Sequence, residues 1–147
     1  MVVVVVIVVV VSIIVSAILY IMLLGFGSAN PTPTVQILSK MTVTGGYKVA
    51  LTNPTATVTW TDVQVQLATT AGTSSWNLKT ITWTGTQASA NMSASSGVYL
   101  VVQDLAGDGH IGSGDSLTFT GVPAGAVMLT LVYTPTGTPM ISPATIA

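Results

Sequence analysis

The stretch from Asp104 to Asp115, DLAGDGHIGSGD, concentrates the residue types that could do chemistry in this chain. It contains three of the four aspartates, the single histidine and four glycines. Carboxylate oxygens are ligands that Ca²⁺ prefers, and they also cap backbone N–H groups in turns rich in aspartate and glycine. Two hypotheses follow from the same residues: a calcium site and a structural turn.

The spacing is similar to that of an EF-hand-type calcium loop, which places acidic oxygens at positions 1, 3, 5 and 12 and a backbone carbonyl at position 7. Asp104, Asp108 and Asp115 match positions 1, 5 and 12, and a glycine stands at position 6. His110 would supply the carbonyl at position 7. Position 3 is Ala106, which has no ligand atom, and the flanking segments have the pattern of strands rather than helices. We expect no cofactor, because the missing ligand and the strand-like flanks favour a hairpin turn in which carboxylates cap backbone amides; calcium is the alternative.

The sequence contains few of the residue types that enzymes use for catalysis. His110 is the only histidine, and the chain contains neither cysteine nor glutamate. A Cys–His nucleophile pair and a two-histidine metal site are therefore excluded. A Ser–His–Asp set would need only one histidine, but His110 shares a single short loop with Asp108 and Asp115, and no G-x-S-x-G turn is present. We expect a protein that is not an enzyme. A secreted hydrolase or a metal-dependent carbohydrate binder is the weakest alternative.

The charge content limits the possible partners. Among 147 residues, three are Lys or Arg and four are Asp or Glu, for a net charge of −1. Charged residues make up 5% of the chain, against roughly 25% in an ordinary soluble domain. No nucleic-acid partner is indicated, because such a partner needs a basic surface. The absence of cysteine excludes disulfides.

Asn91 belongs to the only complete N-glycosylation sequon, Asn-Met-Ser, because proline follows both Asn30 and Asn53. Sugars on the surface would add the solubility that charged residues do not supply. Asn91 is therefore a candidate glycosylation site.

The N-terminal segment MVVVVVIVVVVSIIVSAILYIMLL carries no charge, and Ser12, Ser16 and Tyr20 are its only polar residues. A helix of this length rises roughly 36 Å, enough to cross the hydrocarbon core of a bilayer. We therefore predict a helix over residues 1–27 that lies in lipid or among other apolar helices. The two serines either bond back to carbonyls one turn earlier or form, with Ala17, a seam for a neighbouring helix.

Beyond the helix, glycines and two prolines predict a linker over residues 28–34. Residues 35–147 show about eight short strands separated by turn signals, with changes of phase near Thr61 and Asp62 and near Lys79 and Thr80. The run VYLVV is typical of a central strand buried on both faces. The predicted fold class is α+β: a long hydrophobic helix followed by an antiparallel Ig-like β-sandwich.

This order of elements resembles a mature archaeal type IV pilin, of the superfamily that includes archaellins. The resemblance is carried by the uncharged start MVVVVVIVVVVSIIVSAILY and by the segment DLAGDGHIGSGDSLTF. Bacterial type IV pilins usually have glutamate at the fifth mature position and a cysteine pair. Here that position is Val5 and cysteine is absent, so the archaeal branch fits better. The basic leader that pilin precursors carry is not within this sequence.

The resemblance implies a prepilin peptidase and a pilus assembly machinery as partners, insertion in the membrane before assembly, and then an extracellular filament whose core is made of N-terminal helices. We expect a structural subunit of an adhesion pilus that forms a helical homopolymer. The runner-up is a single-pass membrane anchor presenting a cell-surface β-sandwich that binds a ligand. Under the filament hypothesis, the helix residues expected to contact neighbouring copies are Val5, Val9, Ile14, Ala17 and Leu24.

Overall fold

The computed structural model describes residues 2–27, 31–91, 97–141 and 143–147. Contacts divide the chain into two compact units, Met1–Pro31 and Thr32–Ala147. The first unit contains one helix, α1 (Val2–Gly27, 26 residues), which is about 39 Å long at the usual rise per residue. Ten valines, five isoleucines and three leucines make it apolar on every side, and it ends in a segment with two glycines. The predicted helix is confirmed.

The second unit consists of antiparallel strands, as the sequence predicts. The strands are β1 (Ile37–Val43), β2 (Gly46–Leu51), β3 (Val63–Thr69), β4 (Gly72–Asn77), β5 (Trp83–Thr84), β6 (Gln87–Asn91), β7 (Tyr99–Gln103), β8 (Ser116–Thr120), β9 (Met128–Tyr133), β10 (Thr138–Pro139) and β11 (Ala144–Thr145). One sheet has the order β1-β2-β8-β7-β6-β5, and the other has the order β10-β9-β3-β4, with β11 also paired to β9. The α+β class is therefore confirmed at the level of one apolar helix followed by two antiparallel sheets.

Both predicted changes of phase coincide with single turns of 3₁₀-helix. The first turn, Trp60–Asp62, precedes β3, and the second, Leu78–Thr80, follows β4. Each turn lies on a connection between the two sheets, the first between β2 and β3 and the second between β4 and β5. A turn of 3₁₀-helix breaks the alternation of a strand, so the side chains that face the core change parity on either side of it.

The run VYLVV does not form a strand that is buried on both faces. Strand β7 does lie inside its sheet, between β6 and β8, but only Leu100 and Val102 are buried, whereas Tyr99 is 51% exposed and Val101 is half-buried. The prediction was wrong because an antiparallel sheet can keep one face on the core and the other in water.

The hydrophobic core lies between the two sheets. Leu67 and Leu131 enter it from the smaller sheet, and Leu100 and Leu117 enter it from the larger one, all four with no exposed surface. Trp60 is also fully buried. Buried side chains of both sheets thus meet in one layer, so the second unit buries a complete core of its own.

The second unit is held together from its first residues. The hydroxyl groups of Thr32 and Thr138 form a hydrogen bond of 2.5 Å, and the backbone N–H of Thr34 donates to Thr55 Oγ1 at 3.0 Å. Residues 28–30 of the predicted linker lie outside the described residues. The later part of that segment, from Thr32, contributes to the β unit.

Gly46 is a position where the fold requires the absence of a side chain. A Cβ atom added there would lie 1.8 Å from the carbonyl oxygen of Phe119 on the neighbouring strand. We expect Gly46→Ala to lower the free energy of unfolding by about 1–3 kcal/mol or more, as overpacking does. Gly112→Ala is the matched control, because its Cβ would meet its nearest neighbour at 3.8 Å. Thermal melting of the full chain in mild detergent, followed by near-UV circular dichroism of the tryptophans, measures both. Equal melting temperatures would contradict the expected clash.

Candidate functional sites

The described side chains of α1 are exposed to an extent that is unusual for such apolar residues. From Val3 to Tyr20 every valine, isoleucine and leucine is between 48% and 70% exposed. Large exposed apolar patches mark surfaces that contact membrane or protein. The segment Val3–Tyr20 is long and apolar enough to cross a membrane.

The residues predicted to contact neighbouring copies all lie on α1. Val5 is 61% exposed, Val9 51% and Ile14 53%, and Ala17 is also exposed. Leu24 belongs to the helix, but its side chain lies outside the described part of the structure. The four described side chains are therefore open to contact from outside the chain.

The two serines of α1 satisfy their hydroxyl groups within the helix. Ser12 Oγ donates to the carbonyl oxygen of Val8, and Ser16 Oγ donates to that of Ser12, both at 2.8 Å. This confirms the first of the two alternatives, in which each hydroxyl bonds back one turn. The serines consequently present little unpaired polarity to an apolar neighbour.

In the aspartate loop, the carboxylates of Asp104 and Asp115 face inward and hold the backbone. Both residues are 1% exposed. The N–H groups of Gly107 and Gly109 donate to the two carboxylate oxygens of Asp104 at 2.7 and 2.6 Å. These glycines have φ of +70° and +77°, a left-handed conformation that lets the loop wrap around the carboxylate.

Asp115 closes the other end of the loop in the same way. Its carboxylate oxygens accept the N–H groups of Leu105 and Gly112, each at 2.8 Å. Burial raises the pKa of the Asp115 carboxyl above its ordinary value of 3.8, the two N–H groups oppose that shift, and the charges of Asp104 and Asp108 add to it.

The remaining candidates lie at the surface of the loop. Asp108 Oδ1 accepts the N–H of His110 at 2.9 Å, and His110 Nδ1 lies 2.9 Å from the carbonyl oxygen of Asp108. The loop is also attached to a neighbouring segment, because the N–H of Trp60 donates to the Gly109 carbonyl and the N–H of Ile111 donates to the Val58 carbonyl. The histidine is thus part of a turn.

The geometry of the loop has the features of the turn hypothesis, in which carboxylates cap backbone amides. Four backbone N–H groups already donate to the two buried carboxylates. Among the described residues, no group of three or more His or Asp side chains is arranged to hold a metal ion. Calcium binding by Asp104, Asp108, His110 and Asp115 stays a prediction, and a rise in melting temperature on adding Ca²⁺ after treatment with chelator would support it.

Asn91 is the last residue of β6. Its side chain, together with Met92 and Ser93 of the sequon, lies outside the described residues. Glycosylation at this position stays a prediction.

Sequence analysis missed a cleft of about 410 Å³ beside β4. Its lining consists of Ser75, Trp76, Asn77, Thr80, Ile81, Thr82 and Ser89. The sequence contained one usable signal, the alternation of inward Ser74 and Trp76 with outward neighbours, which indicates that a strand begins before Trp76. The pattern does not show that this strand lies at the edge of its sheet.

No known protein-family model, curated protein or solved structure matches this chain.

The raised pKa of Asp115 predicts how stability depends on pH. Because the folded protein holds this proton more tightly than the unfolded chain does, acidification from neutral pH toward 3.8 adds stability through this group, and the gain levels off below that pH. We expect Asp115→Asn to remove this gain and also to lower the free energy of unfolding by about 1–3 kcal/mol, because an amide cannot accept both N–H groups.

Asp108→Asn is the comparison variant, since that residue is exposed and an amide oxygen can replace its Oδ1 as acceptor. Because its charge is the smallest of the causes that raise the pKa of Asp115, we expect this variant to reduce the gain slightly and not to remove it. Melting temperatures between pH 7 and pH 4 test both variants. A melting temperature of Asp115→Asn that follows the wild-type curve over this range would show that Asp115 does not set the pH dependence.

Proposed function

We propose that this chain is a structural subunit that polymerises through α1 into an extracellular filament of the type IV pilus kind. The observation that carries the proposal is a 26-residue uncharged helix whose described valine, isoleucine and leucine side chains are at least 48% exposed. A helix that is apolar on every side is stable only when it is surrounded by apolar groups. In a filament core, copies of the same helix supply that surrounding on all sides.

The second unit supports this proposal because it completes its hydrophobic core with its own residues. It buries its own core, from Val35 to Ile146, with side chains of both sheets. A unit of this kind can form the outer layer of a filament while α1 forms the inner one. The low charge of the chain also favours close packing of copies, because neighbouring subunits repel one another little.

An extracellular location of the β unit follows from the resemblance to archaeal pilins. The first charged residue of the chain is Lys40, so neither flank of α1 within this sequence contains the lysines or arginines that mark the cytoplasmic side of a membrane helix. By the resemblance, we place the β unit outside the cell and α1 in the membrane before assembly.

The finer architecture belongs to the same proposal. We assign the β unit to the Ig-like sandwiches, supported by two antiparallel sheets around one core and by partners distant in sequence, β2 with β8 and β3 with β9. By the resemblance to archaeal pilins, a prepilin peptidase and a pilus assembly machinery act on the chain, and the filament serves in adhesion. A glycan on Asn91 would lie on the outer layer.

A membrane anchor is the second candidate, and one observation favours it: Val3–Tyr20 could also cross a bilayer. The two functions predict that the protein will be recovered from cells in different forms. Filaments sheared from native cells without detergent, identified by mass spectrometry and imaged by electron microscopy, would support the structural subunit. Recovery of the chain only as a detergent-solubilised monomer would support the anchored binding domain instead.

Val9→Asp separates these functions within one experiment. One aspartate at the centre of a membrane helix costs about 2.5–3.5 kcal/mol, whereas each valine, isoleucine or leucine favours insertion by about 0.3–0.6 kcal/mol. The seventeen such residues that remain in α1 of the variant therefore outweigh one charge, and the variant still enters the membrane. In a dry filament core the same charge has no partner and is strongly destabilising.

We expect Val9→Asp to abolish filaments while the near-UV signal of the β unit remains unchanged, and Val9→Leu to leave filaments intact. Electron microscopy of the sheared fraction and immunoblots of the membrane fraction measure the two effects. Filaments of normal abundance from Val9→Asp would refute a core made of these helices.

A further inference from the structure

Each sheet has very short strands at one edge and a long strand at the other. Strands β5, β10 and β11 are two residues long, so they present little free backbone. The long edges are β1, of seven residues, in one sheet and β4, of six residues, in the other. An edge strand carries a row of N–H and C=O groups that can pair with another strand.

The cleft described above lies along the free edge of β4. Successive residues of a strand point to opposite faces of the sheet, so a cleft that contacts Ser75, Trp76 and Asn77 in a row must lie against the edge itself. Thr82 and Ser89 are on its lining beyond that strand. The cleft therefore lies beside backbone groups of β4 that pair with no other strand in the described part of the chain.

The chemistry of this cleft suits an uncharged or weakly charged strand. None of its seven lining residues is charged, and five of them are serine, threonine or asparagine with exposed side chains. Trp76 and Ile81 add apolar surface, and the indole N–H of Trp76 is buried without a hydrogen-bond partner among the described residues. No bulge is recorded in the pairing of β4 with β3, and β4 contains neither proline nor a charged residue.

Strand β1 has the complementary properties. Its five central residues are exposed, so neither face is covered. Leu38 and Met41 are 58% and 59% exposed, and among the large apolar side chains described in the β unit only Leu105, at 63%, is more exposed. A shift in register between Ile37 and Ser39 places Leu38 at a bulge. Strand β1 thus offers a free edge together with apolar side chains that gain from being covered.

We propose that β1 of one copy adds to the free edge of β4 in a neighbouring copy, so that adjacent β units share a continuous sheet. This is β-strand addition, in which backbone hydrogen bonds provide affinity and alternate side chains provide specificity. The inference rests on the proposed function, because polymerisation through α1 is what holds copies side by side.

The pairing of two different edges also agrees with an open polymer. Pairing of β4 with β4 would be isologous and would close a dimer, whereas β1 with β4 leaves one free edge of each kind and can repeat along a filament. Pairing of β1 with β1 would bring two copies of Lys40 together. In the single chain, Lys40 Nζ donates to the carbonyl oxygen of Thr145 at 2.7 Å, which keeps the ammonium group partnered.

The absence of cysteine makes disulfide mapping a direct test. Residues opposite one another on paired strands have Cα atoms about 4.5–5.5 Å apart, within the range that a disulfide spans. Four double variants would combine Ser75→Cys with Ser39→Cys, Lys40→Cys, Met41→Cys or Thr42→Cys, which covers both faces and neighbouring registers. The control combines the same β1 cysteines with Ala71→Cys, at the turn before β4. Filaments sheared from cells are oxidised with diamide and analysed by denaturing electrophoresis.

We expect a reducible ladder of dimers, trimers and longer species from at least one Ser75 pair, and monomer from the Ala71 pairs and the single variants. Filaments of all four double variants that give only monomer would overturn the strand addition and leave the proposed function intact. Failure of the wild-type chain to form filaments would instead refute the proposed function itself.

A charge placed at the edge gives an independent readout. We expect Ser75→Lys to shift the dissociation of filaments on heating to lower temperature, since a lysine at a strand edge discourages pairing. Ala71→Lys adds the same charge to the same hairpin away from the cleft and should leave dissociation unchanged. Equal dissociation temperatures for the two variants, combined with weaker binding of Ser75→Lys filaments to cell-surface polysaccharide, would make the cleft a sugar site and our inference wrong.

Discussion

The dominant physical constraint on this protein is the exposure of α1 to its surroundings. Twenty-six residues form a helix without one charged side chain, and its described apolar residues are about half exposed or more. Water is a poor solvent for such a surface, so the helix needs lipid or other apolar helices around it. Under the proposed function, lipid supplies these surroundings before assembly and copies of the same helix supply them in the filament.

The β unit meets the opposite constraint, which is to remain folded and soluble with very few charges. Its core is closed by both sheets, and its outward positions are occupied largely by threonine and serine. Three of the four aspartates are used in one loop, where Asp104 and Asp115 hold four backbone N–H groups. Two of the few charged side chains therefore stabilise a loop, and hydroxyl groups supply most of the polar surface of the unit.

Edges are the feature through which the β unit could contribute to an assembly. Strands β5, β10 and β11 are too short to recruit a partner, whereas β1 is a long edge strand with exposed Leu38 and Met41. Strand β4 is the other long edge strand, and a polar cleft lies beside it. A helix core would provide most of the apolar burial in a filament, while strand pairing between β units would set the angular relation of neighbours.

The sequence alone determined the helix, its end near Gly27 and the change to strands, because a long apolar run and strict alternation are local patterns. It also placed the changes of phase near Thr61 and Lys79, where the structure has turns of 3₁₀-helix. Only the tertiary structure decided that Tyr99 faces outward, that β4 is an edge and that two aspartates are buried. Those properties depend on which strands become neighbours, and neighbours such as β2 and β8 are more than sixty residues apart in the chain. Local pattern limits which face of a strand is apolar, but pairing over such distances decides what covers that face.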